Sequence, residues 1–135
     1  MRNFAANLFD MKILMVDDET DAQLLFRQRF RKEIANNEIQ FTFACSGNEA
    51  LGYLKDFGHE TKIVLSDINM PGMSGLELLQ NIKNKYVNPQ PFVMMISAYG
   101  DEKNYTEAKN LGADDFLTKP VDFGLLKEKL RNLQG

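Results

Sequence analysis

Short apolar runs alternate with longer segments of mixed polarity along the chain. Five runs have the length of a β-strand, and most of them are continuously apolar: Lys12–Val16, Ile39–Ala44, Ile63–Asp67, Phe92–Ile96 and Phe116-Leu117. Continuously apolar strands are typical of a parallel sheet that helices cover on both faces, because neither face of such a strand meets water. The pattern therefore predicts five strands of a buried parallel sheet.

The segments between these runs carry apolar residues at helical spacing. Helices are predicted from Thr20, from the turn after Ser46, from about Gly75 to Lys85, over Asp101–Leu111, and after Asp122. Residues three or four positions apart lie on one face of a helix, and that face is expected to meet the core. The predicted inward residues are Ala22, Leu25, Phe26 and Phe30; Ala50, Leu51, Leu54 and Phe57; Leu78, Leu79 and Ile82; Tyr105, Ala108 and Leu111; and Leu126, Leu130 and Leu133.

Several helix ends carry recognisable capping residues. Ser46 and Glu49 have the spacing of a capping box, in which each side chain satisfies a free backbone amide. Gly112 is placed to end the fourth helix, because glycine adopts the left-handed conformation of a C-cap without strain. Asp122 is placed to cap the start of the fifth helix.

Strand and helix thus alternate five times, which predicts an α/β fold of the doubly wound (βα)5 type with a five-stranded parallel sheet, as in flavodoxin-like proteins. A length of 135 residues is enough for one domain with a real core. We assign residues 11–135 to that domain. Residues 1–10 are interpreted as a short N-terminal leader, because they lack the basic-then-apolar order of a signal peptide.

The composition limits which cellular compartment and which classes of partner are expected. The chain is 44% hydrophobic with a net charge of -3, so it offers no general basic surface for nucleic acid. No apolar run approaches the roughly 20 residues that span a bilayer, and no membrane partner is expected. The single cysteine, Cys45, rules out an internal disulfide and fits a reducing, cytoplasmic compartment. We expect Cys45 to be a small buried residue.

Polar residues that could bind a metal or take part in a reaction lie at the ends of four predicted strands. Asp17 and Asp18 follow the first strand, and Asp67, Ser97 and Lys119 end or follow the third, fourth and fifth. The carboxyl ends of parallel strands lie on one edge of the sheet, so these residues are expected to meet there. Three clustered carboxylates repel one another unless a cation neutralises them, and their hard oxygen ligands suit Mg²⁺.

One acid of such a cluster is free to act as a nucleophile. A carboxylate can attack a phosphoryl group and form an aspartyl phosphate. Lys119 and Mg²⁺ would then balance the charge on the phosphoryl oxygens, and Ser97 would donate a hydrogen bond to them.

Four motifs together resemble one known family. They are Val16–Glu19, Ser66–Gly75, Ile96–Gly100 and Leu117–Pro120, each at a predicted strand end. Any one of them is common, but all four in this order are specific. The chain resembles the receiver domain of a two-component response regulator from Lys12 to about Leu133, and the resemblance implies the strand order 2-1-3-4-5.

The resemblance also implies roles at the metal site. Asp67 would accept a phosphoryl group from a phosphohistidine of a sensor histidine kinase. Asp18 and Asp67 would bind Mg²⁺ directly with the backbone carbonyl of Asn69, and Asp17 would act mainly through a bound water. Self-phosphorylation and slow autodephosphorylation are then the only reactions expected, so the protein would not be an enzyme in the usual sense.

Further roles implied by the resemblance concern switching. Ser97 and Lys119 would contact the phosphoryl group, the Lys119-Pro120 peptide would be cis, and Phe116 would be the switch aromatic that turns inward with Ser97. Phe116 would keep that movement without the hydroxyl of the commoner tyrosine. The fourth helix, fifth strand and fifth helix would form the surface that meets an output domain or partner protein. A phosphorylation-linked homodimer is a further implied partner.

Three alternatives remain open on the residues alone. A flavodoxin-like FMN protein would need a hydroxyl- and glycine-rich loop where this chain has Asp17-Asp18-Glu19. An aspartyl-nucleophile phosphatase would carry a second acid at position 69, where this chain has Asn69. A docking receiver that works without phosphorylation would normally lack one of the acids, the lysine or the hydroxyl.

Overall fold

The computed structural model describes residues 11–86 and 90–134, so the predicted leader at residues 1–10 lies outside the described residues. The strands are β1 (Met11–Val16), β2 (Ile39–Ala44), β3 (Ile63–Asp67), β4 (Phe92–Ala98) and β5 (Asp115–Lys119). The main helices are α1 (Thr20–Arg29), α2 (Gly47–Phe57), α3 (Gly75–Asn81), α4 (Glu102–Asn110) and α5 (Phe123–Gln134). Short helical turns at Arg31–Ala35, Gly58–Glu60 and Ile82–Tyr86 extend α1, α2 and α3.

The five strands form one parallel sheet in the order β2-β1-β3-β4-β5. In its register Met15 pairs with Phe43 on one side and with Leu65 on the other. This topology confirms the predicted doubly wound fold and its strand order. It also brings the carboxyl ends of β1, β3, β4 and β5 to one edge.

The sheet divides the apolar interior into two layers. The layer under α2, α3 and α4 contains buried residues of alternate strand positions and of those helices: Leu14, Val16, Val64, Val93, Met95, Leu54, Leu78, Leu79, Ile82 and Ala108. The layer under α1 and α5 contains the strand residues of opposite parity: Ile13, Met15, Ile63, Leu65, Met94, Ile96, Leu117, Phe26, Phe30, Leu126 and Leu130. Successive strand residues point to opposite faces, which explains this division.

Aromatic rings dominate the layer under α1 and α5. The ring of Phe26 lies 5.0 Å from that of Phe123, and the ring of Phe30 lies 5.1 Å from that of Phe41, both in edge-on contacts. Phe30 is fully buried. Edge-to-face pairs at this spacing add to the stabilisation from apolar burial.

Three predicted inward residues face solvent instead, and one of them, Tyr105 of α4, is 41% exposed. Leu25 of α1 is 40% exposed, and Phe57 at the end of α2 is 44% exposed. Phe26 and Phe30 keep the buried stripe of α1, and Leu25 lies about 100° around the helix from Phe26, since a turn takes about 3.6 residues. Phe57 stacks on the ring of Tyr53 at 5.0 Å rather than entering the core.

The chain between β2 and α2 differs from prediction in two ways. Cys45 is exposed, not buried, because the chain has left the sheet after Ala44 to begin the helix. The Ser46 hydroxyl accepts from the Glu49 N–H as predicted, but the Glu49 carboxylate accepts from the Cys45 N–H at 2.6 Å. The reciprocal bond of the box therefore reaches one residue further back than the pattern suggested.

The remaining helix ends agree with prediction, with one difference at α3. Gly112 adopts a φ of 99° after α4, and the Asp122 carboxylate accepts from the Leu125 N–H at 3.0 Å. Regular α3 ends at Asn81, four residues before the predicted end at Lys85, and a π-helical turn follows. The predicted weak face of α4 is observed, since Ala108 is its buried residue and Tyr105 is 41% exposed.

The aromatic layer gives a stability prediction. Replacing Phe30 with alanine removes a fully buried ring that touches three other rings, so Phe30→Ala should lower the free energy of unfolding by about 3–5 kcal/mol. Urea unfolding measures the change. Leu24→Ala, at a position that is 63% exposed, serves as control and should change it by no more than about 0.5 kcal/mol. Equal effects of the two substitutions would contradict this account of the core.

Candidate metal centre

The carboxyl edge of the sheet collects the residues that the sequence singled out. Asp17 follows the last residue of β1, while Asp67 and Lys119 are the last residues of β3 and β5. Ser97 lies in β4 one position beyond Ile96, which pairs with Asp67. The parallel register therefore brings together side chains that are up to about a hundred residues apart in the chain.

Three acids form a compact cluster at this edge. One carboxylate oxygen from each of Asp17, Asp18 and Asp67 lies within 4.8 Å of the others. Asp17 and Asp67 are 3% and 4% exposed, whereas Asp18 faces solvent. Clustered carboxylate oxygens open to solvent on one side match the hard ligand set that Mg²⁺ prefers, with room for water ligands.

Burial, together with the charge of Asp67, disfavours the ionised form of Asp17. Burial raises the pKa of this carboxyl above its ordinary value, and the neighbouring charge of Asp67 raises it further. The Glu19 N–H, which donates to Asp17 Oδ1 at 2.9 Å, and the charge of Lys119 act in the opposite direction. Ionising Asp17 is thus costly in the fold, and a bound cation would reduce that cost.

Lys119 is the cation that the chain itself supplies. Its Nζ donates to Asp67 Oδ2 at 2.9 Å, and the Lys119-Pro120 peptide is cis, as the resemblance implied. Burial disfavours the charged ammonium, but the hydrogen bond to Asp67 and the charges of Asp67, Asp17 and Glu19 outweigh burial and raise the pKa of Lys119. Lys119 therefore remains an ammonium beside Asp67 at neutral pH.

The loop between β3 and α3 is closed tightly around Asp67. The Gly75 N–H donates to the carbonyl of Ile68 at 2.8 Å, and the Asn69 N–H lies 3.4 Å from Asp67 Oδ1. A Cβ at Gly75 would overlap the Asp67 carbonyl oxygen and lie 2.7 Å from Ile68 Cα. Only glycine allows α3 to begin this close to the acid. The part played by the Asn69 carbonyl stays a prediction.

Sequence reasoning did not assign a role to this glycine or to the cap beside it. Ser74 and Glu77 form a complete capping box, with hydrogen bonds of 2.9 and 3.1 Å. The Ser74-x-x-Glu77 spacing is the signal that could have located the start of α3. No such pattern reveals that Gly75 faces a carbonyl, because that contact depends on how the loop folds back.

Ser97 and Phe116 lie toward the α4 side of the edge. Ser97 is 3% exposed and lines a cavity of about 310 Å³ with Tyr105 and Thr118. The ring of Phe116 packs 4.4 Å from that of Tyr105. Asp17 and Lys119 instead line a cavity of about 410 Å³ between α1 and the start of α5. The structure thus brings Ser97 to the predicted edge but on the opposite face from this cavity.

Comparisons with known proteins place the whole chain in context. Residues 13–131 match the family model described as response regulator receiver domain. The chain is 36% identical over 124 residues to the response regulator RppA of Synechocystis sp., which covers 92% of this chain and 50% of that protein. It is 35% identical over 121 residues to the chemotaxis protein CheY-3 of Vibrio cholerae, covering 90% of this chain and 89% of that protein.

A solved structure agrees with these sequence matches. The crystal structure of a response regulator receiver domain protein from Clostridium thermocellum superposes with a TM-score of 0.79 at 27% identity, covering 90% of this chain and 92% of that one. The chain spans half the length of RppA. Across residues 11–86 and 90–134, no helix is both long and apolar enough to cross a bilayer.

The cost of ionising Asp17, which comes chiefly from burial, gives a prediction on stability and pH. We expect Asp17→Asn to raise the free energy of unfolding of the metal-free protein by on the order of 1 kcal/mol at neutral pH. The native pKa of Asp17 is raised, so the cost of ionisation is absent at acid pH, appears as pH rises past the ordinary carboxyl range, and is complete above the raised value. Urea unfolding across that range, with and without Mg²⁺, measures both effects.

Bound Mg²⁺ should reverse this ranking in stability, because a ligand stabilises the native state by an amount that rises with the logarithm of its affinity, and Asp17→Asn should bind Mg²⁺ more weakly. Asp56→Asn, on the exposed side of α2, is the matched control and should show neither effect. A stability gain in Asp17→Asn that persisted undiminished at acid pH would show that ionisation of Asp17 was not its cause.

Proposed function

The chain belongs to the response regulator receiver domain family of two-component signalling, and on that premise we propose that Asp67 is its phosphoacceptor. The phosphoryl group would come from a phosphohistidine of a sensor histidine kinase. A carboxylate oxygen of Asp67 would form the new P–O bond while the P–N bond breaks. The donor imidazole would leave with the bonding electron pair and take up a proton from water.

The observation that carries the proposal is the setting of Asp67. This carboxylate is 4% exposed, lies within 4.8 Å of two other acids, and accepts a hydrogen bond of 2.9 Å from an ammonium. A buried acid that serves only structure would be paired and shielded, without two further carboxylates facing it. The Asp67 site instead combines a nucleophile with the charges that a phosphoryl group needs.

The residues placed to hold Mg²⁺ are Asp17, Asp18 and Asp67, with the Asn69 backbone carbonyl as a further ligand. Asp18 and Asp67 would bind directly, and Asp17 through a water. When bound, Mg²⁺ would supply positive charge for the phosphoryl oxygens. Its fit rests on the three carboxylate oxygens within 4.8 Å.

Lys119 and Ser97 would complete the contacts to the phosphoryl group. Lys119 lies 2.9 Å from Asp67, so its ammonium is already where charge develops during transfer. The Ser97 hydroxyl, in β4, would donate a hydrogen bond to the phosphoryl group. Ser97 would move toward that group together with Phe116. That movement would alter the contact between Phe116 and Tyr105.

The surface on which the sensor kinase would dock beside Asp67 is partly apolar. The cavity of about 410 Å³ between α1 and α5 is lined by Asp17, Lys119, Phe26 and Phe123. Leu25, which also lines this cavity and is 40% exposed, adds apolar surface to it. A helix that carries the donor histidine could lay an apolar face on this surface.

The chain would keep the phosphoryl group on Asp67 for some time rather than catalyse repeated hydrolysis of a substrate. Asn69 occupies the place where an aspartyl phosphatase needs a second acid, so hydrolysis should be slow. The proposed location is the cytoplasm, where the catalytic part of a sensor kinase meets its receiver. A homodimer that forms on phosphorylation is a further proposal.

The proposed output surface consists of α4, β5 and α5. Ala108 alone anchors α4 as a fully buried residue within the helix, and a helix with few core contacts has low local stability. A change at Ser97, which lies under the start of α4, can therefore shift this helix at small cost. An output domain or partner protein would read that shift.

Labelling of Asp67 tests the proposed function. With acetyl phosphate and Mg²⁺, the protein should gain one phosphoryl group per chain by intact mass, and borohydride reduction should convert Asp67 alone to homoserine. Asp67→Asn should lose the label entirely. Lys119→Met should keep Mg²⁺ binding but slow labelling by at least about a hundredfold, as for loss of one charge-stabilising donor.

Asp56→Asn is the matched carboxylate-to-amide control and should label at the rate of the unaltered protein. A protein that binds Mg²⁺ but takes no label would support a docking receiver that works without phosphorylation. Continuous release of phosphate at many turnovers per minute would instead support a phosphatase.

The output surface gives a separate prediction. Beryllofluoride with Mg²⁺ mimics the phosphoryl group, so amide resonances of α4, β5 and α5 should shift when it is added. Phe116→Leu should still bind beryllofluoride but should shrink the shifts in α4, because the ring contact with Tyr105 is lost. Shifts confined to α1 would place the output surface elsewhere.

A further inference from the structure

Gly47, the first residue of α2, is a glycine for reasons of space. It is buried, and a Cβ at this position would lie 2.6 Å from Met73 Sδ, 2.9 Å from Cγ and 3.0 Å from Cβ. Real Cβ contacts are rarely this short, and three atoms of one side chain are involved. The Met73 side chain therefore runs directly along the Gly47 backbone.

Met73 lies in the loop between β3 and α3, which also carries Asn69. The Met73 side chain packs against the buried layer under α2 and α3. The two shortest contacts are with Met73 Cγ and Sδ, whereas the Met73 Cβ at 3.0 Å would have to give by only a few tenths of an ångström. A larger residue at position 47 would therefore displace the Met73 side chain from its place against this layer and loosen the loop that it anchors.

The first turn of α2 is in turn fixed to the end of β1. The Asp17 N–H donates to the carbonyl of Ala44 at 3.1 Å. Two residues later the Ser46 hydroxyl caps the helix, and Glu49 holds the Cys45 N–H. Gly47 thus sits on a short, hydrogen-bonded path from Asp17.

Asp67, at the start of the Met73 loop, is fixed from the other side. Gly75 closes this loop on Ile68, against the Asp67 carbonyl. The Gly47–Met73 contact joins the two halves, so Asp17 and Asp67 belong to one closed ring of contacts. The pairing of Val16 with Ser66 already sets Asp17 beside Asp67, so what the Gly47–Met73 contact adds is the position of the loop that carries Asn69.

We propose that Gly47 and Met73 are positioning residues for the metal centre, whose contact holds the loop that carries Asn69, the proposed backbone ligand, at the distance from Asp17 and Asp18 that Mg²⁺ requires. This inference rests on the proposed function and deepens it. Neither residue touches the metal or the phosphoryl group. Displacing either one should change affinity for Mg²⁺ through the position of the ligands.

A compensating pair of substitutions tests the inference. Gly47→Ala should weaken Mg²⁺ binding about tenfold, the size expected for loss of support to metal ligands, as measured by calorimetric titration without any phosphoryl donor. Met73→Ala should also weaken it, by a smaller factor, because the loop loses its anchor. The double variant should bind Mg²⁺ more tightly than Gly47→Ala, because the new Cβ then occupies the space that the thioether leaves.

Gly52→Ala is the matched control, because a Cβ there meets nothing within 4 Å on the same helix. It should bind Mg²⁺ as the unaltered protein does. Urea unfolding of each variant separates a loss of stability from a loss of affinity, and a purely structural role would not give recovery of Mg²⁺ binding in the double variant. If Gly47→Ala does not fold, Met73→Ala alone decides, and unchanged affinity in it overturns the inference.

Two further results would overturn the inference. In the first, Gly47→Ala binds Mg²⁺ as tightly as Gly52→Ala does. In the second, the double variant binds Mg²⁺ no more tightly than Gly47→Ala. These results are independent of Asp67 labelling. A chain that shows the predicted affinities but takes no phosphoryl group would contradict only the proposed function. A labelled chain that is indifferent to all three variants would contradict only the inference.

Discussion

Mutual repulsion of Asp17, Asp18 and Asp67 is the constraint that the rest of the structure has to meet. Their oxygens lie within 4.8 Å of one another, and two of the three side chains are almost fully buried. An isolated loop would relieve such repulsion by moving apart. Here the strands place the acids at one edge, and Lys119 offsets part of the charge at 2.9 Å from Asp67. The fold thus holds three clustered carboxylates at one edge of the sheet, with one ammonium beside them to offset their charge.

The sheet and its strand order could be predicted because the signals were local and repeated. Runs such as Ile63–Asp67 are apolar on both faces, which only a covered parallel sheet explains. The orientation of single helix residues was harder to predict. Leu25 has the right spacing for the core, yet Phe26 and Phe30 occupy the inner face with larger rings and leave Leu25 in solvent. Periodicity alone does not rank such competitors, because the packing of rings from β2 and α5 decides between them.

The residues of the centre could be predicted for a different reason. A polar residue that follows an apolar strand has a defined position as soon as the sheet is known to be parallel, so Asp17, Asp67 and Lys119 were accessible to sequence reasoning. Gly47 and Gly75 were not. Their importance lies in what they leave room for, and Met73 and the Asp67 carbonyl come near them only after the loops close. Cys45 was misjudged in a similar way, since its exposure depends on where the chain leaves the sheet.

The division of the interior into two layers has a consequence for how this domain can change over evolution. The aromatic layer under α1 and α5 borders the cavity beside Asp17 and Lys119, while Phe116 and Ala108 belong to the layer under α4. The β-sheet backbone separates the two sets of side chains. Mutations in the layer under α4 can therefore accumulate while the layer beside Asp17 and Lys119 keeps its packing, and the reverse also holds.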